Sequence, residues 1–377
     1  MGSHVEHQPS SINPVSINHG AAERAPLVVR FGAFGDMVLL TVLLRQLYAR
    51  FGKPVDVISS GPWTKPLLEG QESLGKLIVI RSRRTPYWLA PDQRQLVAWL
   101  RQRGAGPTWF CDVARGKDLL HRGGIPEEYI CSYSSFEWSP DEGFPDRFVR
   151  MASETPPAFA GMLPPPAPTV SRDAQLVISN EARASADEWR AQRGLAGRPF
   201  VVIHPGSAHI ARRAFRSPVG TDRYWPEDRW GKVINLIRDL RPDHAILLTG
   251  TKAERKFNDA IIAASGAKDV YNAANELSIR TLLPLLERAH SMISIDTGPA
   301  HAAAALGRPT VAVFGKQNSV LFRPGGPTTP AVAVTGLVDG VQDIMGITPE
   351  AVIAAWSALV RSTETSVNHS VKSLSRA

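Results

Sequence analysis

Between Met292 and Ala305 the chain changes character within a single turn. An apolar run (Met292, Ile293, Ile295) ends at Asp296-Thr297-Gly298-Pro299, and the small-residue stretch Ala300 to Ala305, interrupted only by His301, follows at once. An acid, a hydroxyl and a glycine in that position read as strand, tight turn, helix. In open α/β sheets ligands sit beyond the carboxyl ends of strands, and a helix N-terminus offers unpaired N–H groups and a positive dipole. The turn therefore suits a phosphorylated ligand. Val311-Ala312-Val313-Phe314-Gly315 repeats the strand-then-glycine pattern downstream.

The same alternation runs through most of the chain, in two sets. The first starts at Leu27-Val28-Val29-Arg30 and continues with Val38, Leu39, Val42, Leu43, Leu47 and Tyr48 at helical spacing. Further strands are expected at 55–58, 77–80 and 109–113, with a helix over 93–103. The second set has strands at 200–203, 245–248, 291–295 and 310–314, interleaved with helices at 181–193, 230–240, 253–264, 279–289 and 300–306. Strands alternating with helices in this way specify parallel, doubly wound sheets. Between the sets lies a proline-rich stretch, Pro156 to Pro168, where missing donors and restricted backbone favour a linker or surface traverse. The expected organisation is a disordered segment over 1–24, one α/β domain over 25–180, a second over 181–346, a helix over 347–361 and a loose tail over 362–377.

A chain of 377 residues with 43% hydrophobic content has room for two such cores. No apolar run is long enough to cross a membrane and the first residues lack a signal-peptide core, so the cytoplasm is the expected location. Cys111 and Cys131 are too few and too far apart for a zinc or C-x-x-C site and read as buried thiols. The net charge of +8 calls for an anionic partner: nucleic acid, an anionic membrane face or an acidic substrate. Basic residues are scattered apart from a cluster at Arg81, Arg83 and Arg84, and no ribonucleoprotein-like motif occurs, which sets nucleic acid aside. A solvated basic face without function is the alternative.

Each remaining motif carries two readings. In Arg30-Phe31-Gly32-Ala33-Phe34-Gly35-Asp36 a carboxylate sits in a glycine-rich turn before a helix, where it serves equally as a helix cap or as a catalytic group. The glycines do not form a dinucleotide fingerprint. His204-Pro205-Gly206-Ser207 follows a strand and suits an anion. Arg223, before Trp225-Pro226, reads as packing, surface or a forked donor to phosphate. Glu254, after Leu248-Thr249-Gly250-Thr251, caps a helix or binds ribose hydroxyls. His301, a lone histidine in an apolar helix, reads as structural or as part of a site. No Asp-x-Asp metal motif is present.

Taken in order, Arg30…Gly35-Asp36, His204-Pro205-Gly206-Ser207, Arg223-x-Trp225-Pro226, Gly250…Glu254, Asp296-Thr297-Gly298-x-x-His301 and Phe314-Gly315 resemble glycosyltransferase family 9, the ADP-heptose:lipopolysaccharide heptosyltransferases. The resemblance covers roughly residues 26 to 360, and its specific element is Asp-Thr-Gly-x-x-His. It implies a GT-B fold: two Rossmann-like domains facing across a cleft, acceptor on the N-terminal side and nucleotide-sugar donor on the C-terminal side. It implies an inverting transfer without cofactor or required metal, with Asp36 as general base on the acceptor hydroxyl. Ser207, Arg223, Glu254, Asp296, Thr297, Gly298 and His301 would surround an ADP-heptose donor. Arg81, Arg83 and Arg84 would meet an acidic glycolipid acceptor, bringing the chain into peripheral contact with an anionic inner membrane surface. Family members pass from Pro-Gly-Ser to the basic residue in a few positions, whereas here 208–222 intervene. An ungapped match would put Arg212 in the diphosphate role, and the Trp225-Pro226 that follows favours Arg223. Another nucleotide sugar, a soluble acceptor, a binding protein without turnover and a nucleotide-sugar epimerase are the competing readings.

Overall fold

The computed structural model describes residues 19–81, 85–112, 116–167, 170–207 and 222–374. Arg83, Arg84, Arg212 and nearly all of the 208–222 insertion lie outside the described residues. The first half runs α1 (His19–Ala22), β1 (Leu27–Arg30), α2 (Phe34–Phe51), β2 (Val55–Ser60), α3 (Thr64–Leu68), β3 (Leu74–Ile80), α4 (Pro91–Arg103), β4 (Thr108–Phe110), α5 (Lys117–Arg122), β5 (Ile130–Ser132) and α6 (Phe144–Ser153). Its strands form a parallel sheet in the order β3-β2-β1-β4-β5. The second half runs α7 (Asn180–Ala191), β6 (Phe200–His204), α8 (Glu227–Leu240), β7 (Ala245–Leu248), α9 (Arg255–Ser265), β8 (Val270–Asn272), α10 (Ile279–Arg288), β9 (Ser291–Ile295), α11 (Gly298–Ala305), β10 (Thr310–Val313), β11 (Ala331–Val334), the hairpin β12 (Leu337–Val338) and β13 (Val341–Gln342), and α12 (Pro349–Leu374). Its main sheet is parallel in the order β11-β10-β9-β6-β7-β8. Both sheets thus reverse direction beside their first strand, between β1 and β4 and between β6 and β9. These are the switch points where doubly wound sheets open a crevice for ligands.

Helix α2 shows how the halves meet. Met37, Val38, Leu39, Leu40, Val42, Leu43 and Leu44 are all buried, so the helix is apolar around its whole circumference. Such a helix needs neighbours on every side. Sheet one and α6 supply some of them, and α11 of the second half supplies another. Elsewhere Phe144 packs on Phe322 with ring centroids 5.5 Å apart, and Arg280 pairs with Glu69 at 2.7 Å. These contacts tie the two sheets together at several points.

Two expected ends move. The segment expected to be loose up to residue 24 includes α1, because Ala21 is small enough to bury against the first sheet and Arg24 reaches the Arg103 carbonyl at 2.5 Å. The last helix, expected to stop at 361, continues to Leu374. Its polar sequence hides the extension, but Glu364 is held by Arg241 at 3.0 Å and faces His290 at 3.4 Å. The proline-rich stretch follows the surface of the first half: Phe159 is buried edge-on against Tyr129, and Gln46 donates to the Val170 carbonyl at 3.2 Å. Cys111 and Cys131 are free and buried, and burial pushes the Cys131 thiol up to about 12.

Candidate active site

Asp36 sits in the first turn of α2, just beyond β1. One carboxylate oxygen accepts from the Ala33 N–H at 2.7 Å, and the other pairs with the Arg30 guanidinium at 2.8 Å. Arg30 also donates to the Cys111 carbonyl at the end of β4 and lies over the Phe144 ring, 5.6 Å from its centroid. Burial opposes the charge on Arg30, but Asp36 more than offsets it and keeps the guanidinium cationic. Asp36 therefore caps α2, as one reading expected, while its carboxylate is aimed by a fixed partner. Trp63, between β2 and α3, closes this turn, its indole N–H donating to the Gly32 carbonyl at 3.2 Å.

The second half meets this turn through the N-terminus of α11. A Cβ on Gly35 would stand 2.7 Å from the His301 ring, and one on Gly298 would stand 2.5 Å from Phe34. Glycine is needed at both positions because the two loops approach backbone to side chain. His301 is 4% exposed, and its Nδ1 has no hydrogen-bond partner among the described residues. Asp296, buried at the end of β9, pairs with Arg223 at 2.6 Å. Both Asp36 and Asp296 act electrostatically on His301, as does Arg223, so groups from both halves converge on one imidazole. Thr297 turns inward, its hydroxyl within hydrogen-bonding distance of Ser294 Oγ at 3.0 Å and donating to the Ile295 carbonyl at 3.2 Å. The Thr297 side chain thus does not cap α11, whose first turn has a proline at its start and the Ala300 N–H bonded to the Thr297 carbonyl at 3.2 Å.

Ser207 and Glu254 lie at the ends of β6 and β7, on the same rim of the second sheet. Glu254 is only 2% exposed, accepts from the Thr251 N–H at 2.6 Å and packs its carboxyl group against Gly206. This is the capping arrangement of its first helical turn. His204, beside it, is within hydrogen-bonding distance of the Thr249 hydroxyl at 3.0 Å. Arg81 lies on the first sheet's rim, past β3, with its backbone N–H bonded to Asp92 at 2.6 Å. The roles of Arg30 and Trp63 were missed from sequence. Arg30 left a signal, six residues before Asp36 at the end of a strand, whereas nothing in sequence places Trp63 beside Gly32.

Residues 158–337 match glycosyltransferase family 9 (heptosyltransferase). That match spans 180 of the 377 residues, just under half of the chain. The chain is similar over nearly its whole length to lipooligosaccharide heptosyltransferase 2 of Haemophilus ducreyi, with 22% identity covering 86% of this chain and 96% of that one. Similarity to lipopolysaccharide heptosyltransferase 3 of Escherichia coli is higher, at 29%, but spans 33% of either chain. Among solved structures, the ADP-heptose lipopolysaccharide heptosyltransferase II of E. coli superposes with a TM-score of 0.66 at 19% identity, covering 90% of this chain and 99% of that one. A family 9 glycosyltransferase from Veillonella parvula gives 0.72 at 16% identity, covering 90% and 98%. At such identities the superpositions establish the GT-B fold, and the two facing sheets described above are its two domains. The match and these relatives together indicate a heptosyltransferase-like glycosyltransferase. The matched segment contains Ser207, Arg223, Glu254 and the Asp296–His301 loop, while Asp36 lies outside it.

Burial holds His204 and His301 below the ordinary histidine range, against the pull of Glu254 on the first and of Asp296 and Asp36 on the second. Unfolded, each takes up a proton near pH 6.5; folded, each resists. The unfolded chain then binds more protons below that pH, so stability is complete above about 6.5 and declines as pH falls. The decline reaches at most about 1.4 kcal/mol per pH unit for each histidine. Urea midpoints at about pH 7.5 and about pH 5.5 check this. The wild-type chain should lose more than His301→Gln, and equal losses would remove His301 from the effect.

Proposed function

We propose that this enzyme moves a heptose from ADP-heptose to a hydroxyl of an acidic glycolipid of the lipopolysaccharide inner core, with inversion. The observation that carries the reading is the convergence of Asp36, from the first domain, with His301, Asp296 and Arg223, from the second. A transfer between two substrates needs groups from both domains at one point. Asp36 takes the proton of the acceptor hydroxyl as that oxygen bonds to the anomeric carbon, while the bond from that carbon to the diphosphate breaks. Charge gathering on the departing ADP meets Arg223 and the N-terminus of α11. Asp296 positions Arg223, and Arg30 does the same for Asp36. Ser207 and Glu254 border the donor pocket, Glu254 acting from behind Gly206. Arg81, with Arg83 and Arg84 in the same segment, supplies positive charge for the acceptor. Among the described residues no helix is long and apolar enough to cross a membrane, so a lipid-anchored acceptor would be met from the side.

The test is a mass-spectrometric screen of nucleotide sugars against lipid-linked and delipidated inner-core acceptors. Transfer from ADP-heptose to the acidic acceptors supports the proposal. Transfer from another nucleotide sugar, or to a neutral soluble acceptor alone, overturns it.

Arg223 provides a second check. A charge-assisted contact contributes about 1.5–3 kcal/mol, so Arg223→Ala should weaken ADP binding by roughly 10- to 100-fold in calorimetry. Arg212→Ala should cost less. The opposite ranking would assign the diphosphate to Arg212.

A further inference from the structure

The connection from β3 to α4 carries the most exposed large apolar side chain among the described residues. Trp88 is 73% exposed and Leu89, next to it, 55%. Both project from a single 3-10 turn, Tyr87–Leu89, where backbone bonds from Leu89 and Ala90 to Pro86 and Tyr87 fix the segment. Arginines surround that turn. Arg94 donates to the Trp88 carbonyl at 2.6 Å, Arg122 lies over the Tyr87 ring at 4.8 Å, and Arg101 reaches the Arg122 carbonyl at 3.1 Å. None of Arg81, Arg94, Arg101 and Arg122 pairs with a carboxylate among the described residues. By contrast Arg183, Arg193, Arg198, Arg241, Arg280 and Arg288 each do. From 81 to 103 the sequence holds six arginines and one acid, Asp92. Of the acids nearby, Asp92 is bonded to the Arg81 N–H and Glu127 to Lys117.

We infer that this turn docks the enzyme on an anionic bilayer, with Trp88 and Leu89 entering the headgroup region and the unpaired arginines facing lipid phosphates. Tryptophan is favoured at membrane interfaces, and adjacent basic side chains are drawn to anionic leaflets. The position in the fold fits. β3 is parallel to β2 and β1, so its carboxyl end lies on the rim that carries Asp36, at the outer edge of the sheet. A bilayer at that edge would present a lipid-anchored acceptor to the cleft. A second exposed apolar cluster, Leu337, Val338 and Val341 on the β12–β13 hairpin, lacks this charge pattern, because Asp339 and Asp343 flank it. It serves as an internal control.

The inference rests on the membrane-anchored acceptor of the proposed function, but its test uses neither donor nor acceptor, so either can fail alone. The full chain is sedimented with vesicles of phosphatidylethanolamine and phosphatidylglycerol, and with phosphatidylcholine vesicles. Binding to the anionic vesicles, weakened by salt and reduced at least about tenfold in Trp88→Ser/Leu89→Ser but not in Leu337→Ser/Val341→Ser, supports the inference. The Trp88→Ser/Leu89→Ser variant should keep the wild-type urea midpoint, which shows that it is folded. Equal binding to neutral vesicles, indifference to the Trp88 and Leu89 changes, or a change in oligomeric state in place of vesicle binding would each overturn it.

Discussion

Asp36→Asn is expected to lower turnover by a factor of about 10² to 10⁴ while leaving ADP-heptose affinity within a few-fold. Asparagine keeps an oxygen that can accept from the Ala33 N–H, so the cap on α2 survives. What it loses is the charge that Arg30 holds in place and the ability to take up a proton. Asp36→Ala would remove base and cap together, leaving Arg30 buried without its carboxylate, and its loss of activity would mix chemistry with folding. The asparagine variant separates the two roles that the sequence left open. Normal turnover in Asp36→Asn would return Asp36 to helix capping alone and move the base elsewhere. Arg30→Met should act in the same direction through Asp36, and because it touches no substrate its signature is a changed pH profile of turnover with donor affinity preserved.

How much of this could be read in advance depended on whether the signal was local. The strands around the switch points were legible because Leu27–Arg30, Phe200–His204 and Ser291–Ile295 are short apolar runs that end in glycine-containing turns. Strands β5 and β8 were not, since Ile130-Cys131-Ser132 and Val270-Tyr271-Asn272 are three residues long and take their conformation from neighbours in the sheet. Helix α6 was legible in principle: Phe144, Phe148, Met151 and Ala152 fall on one face of a segment with a proline in its first turn. The apolar circumference of α2 was also in plain view, but only the face toward its own sheet was read. Its other side packs on α11, more than 250 positions away in sequence. The site divides along the same line. Each loop could be proposed from its own residues, whereas the meeting of Gly35 with His301 and of Phe34 with Gly298 depends on how two domains face each other. No local pattern encodes that.

Arg50→Met is expected to destabilise the whole protein by about 2–4 kcal/mol, a large part of the roughly 5–15 kcal/mol that holds a typical domain folded. Arg50 ends α2 and is only 7% exposed, yet no carboxylate pairs with it among the described residues. Its guanidinium is satisfied by uncharged oxygens instead, at 2.7 Å each: the carbonyls of Ala152, Glu154 and Pro164 and the Thr155 hydroxyl. Burial pulls the Arg50 pKa down, but the group stays far from neutral at any pH the fold survives. These acceptors belong to the end of α6 and the proline-rich stretch beyond it. Proline offers no N–H of its own, so this segment cannot join a sheet and is held largely by what donates to its carbonyls. One forked cation does so here, and methionine would fill the volume while leaving four oxygens to find water. Lysine should recover little, because a single ammonium cannot span the fork. The expected result is a lower urea midpoint with an unchanged slope, together with earlier proteolytic cleavage between residues 152 and 167 than elsewhere in the chain. An unchanged midpoint would mean that the proline-rich stretch is held by Phe159 and Gln46, and that Arg50 is dispensable to it.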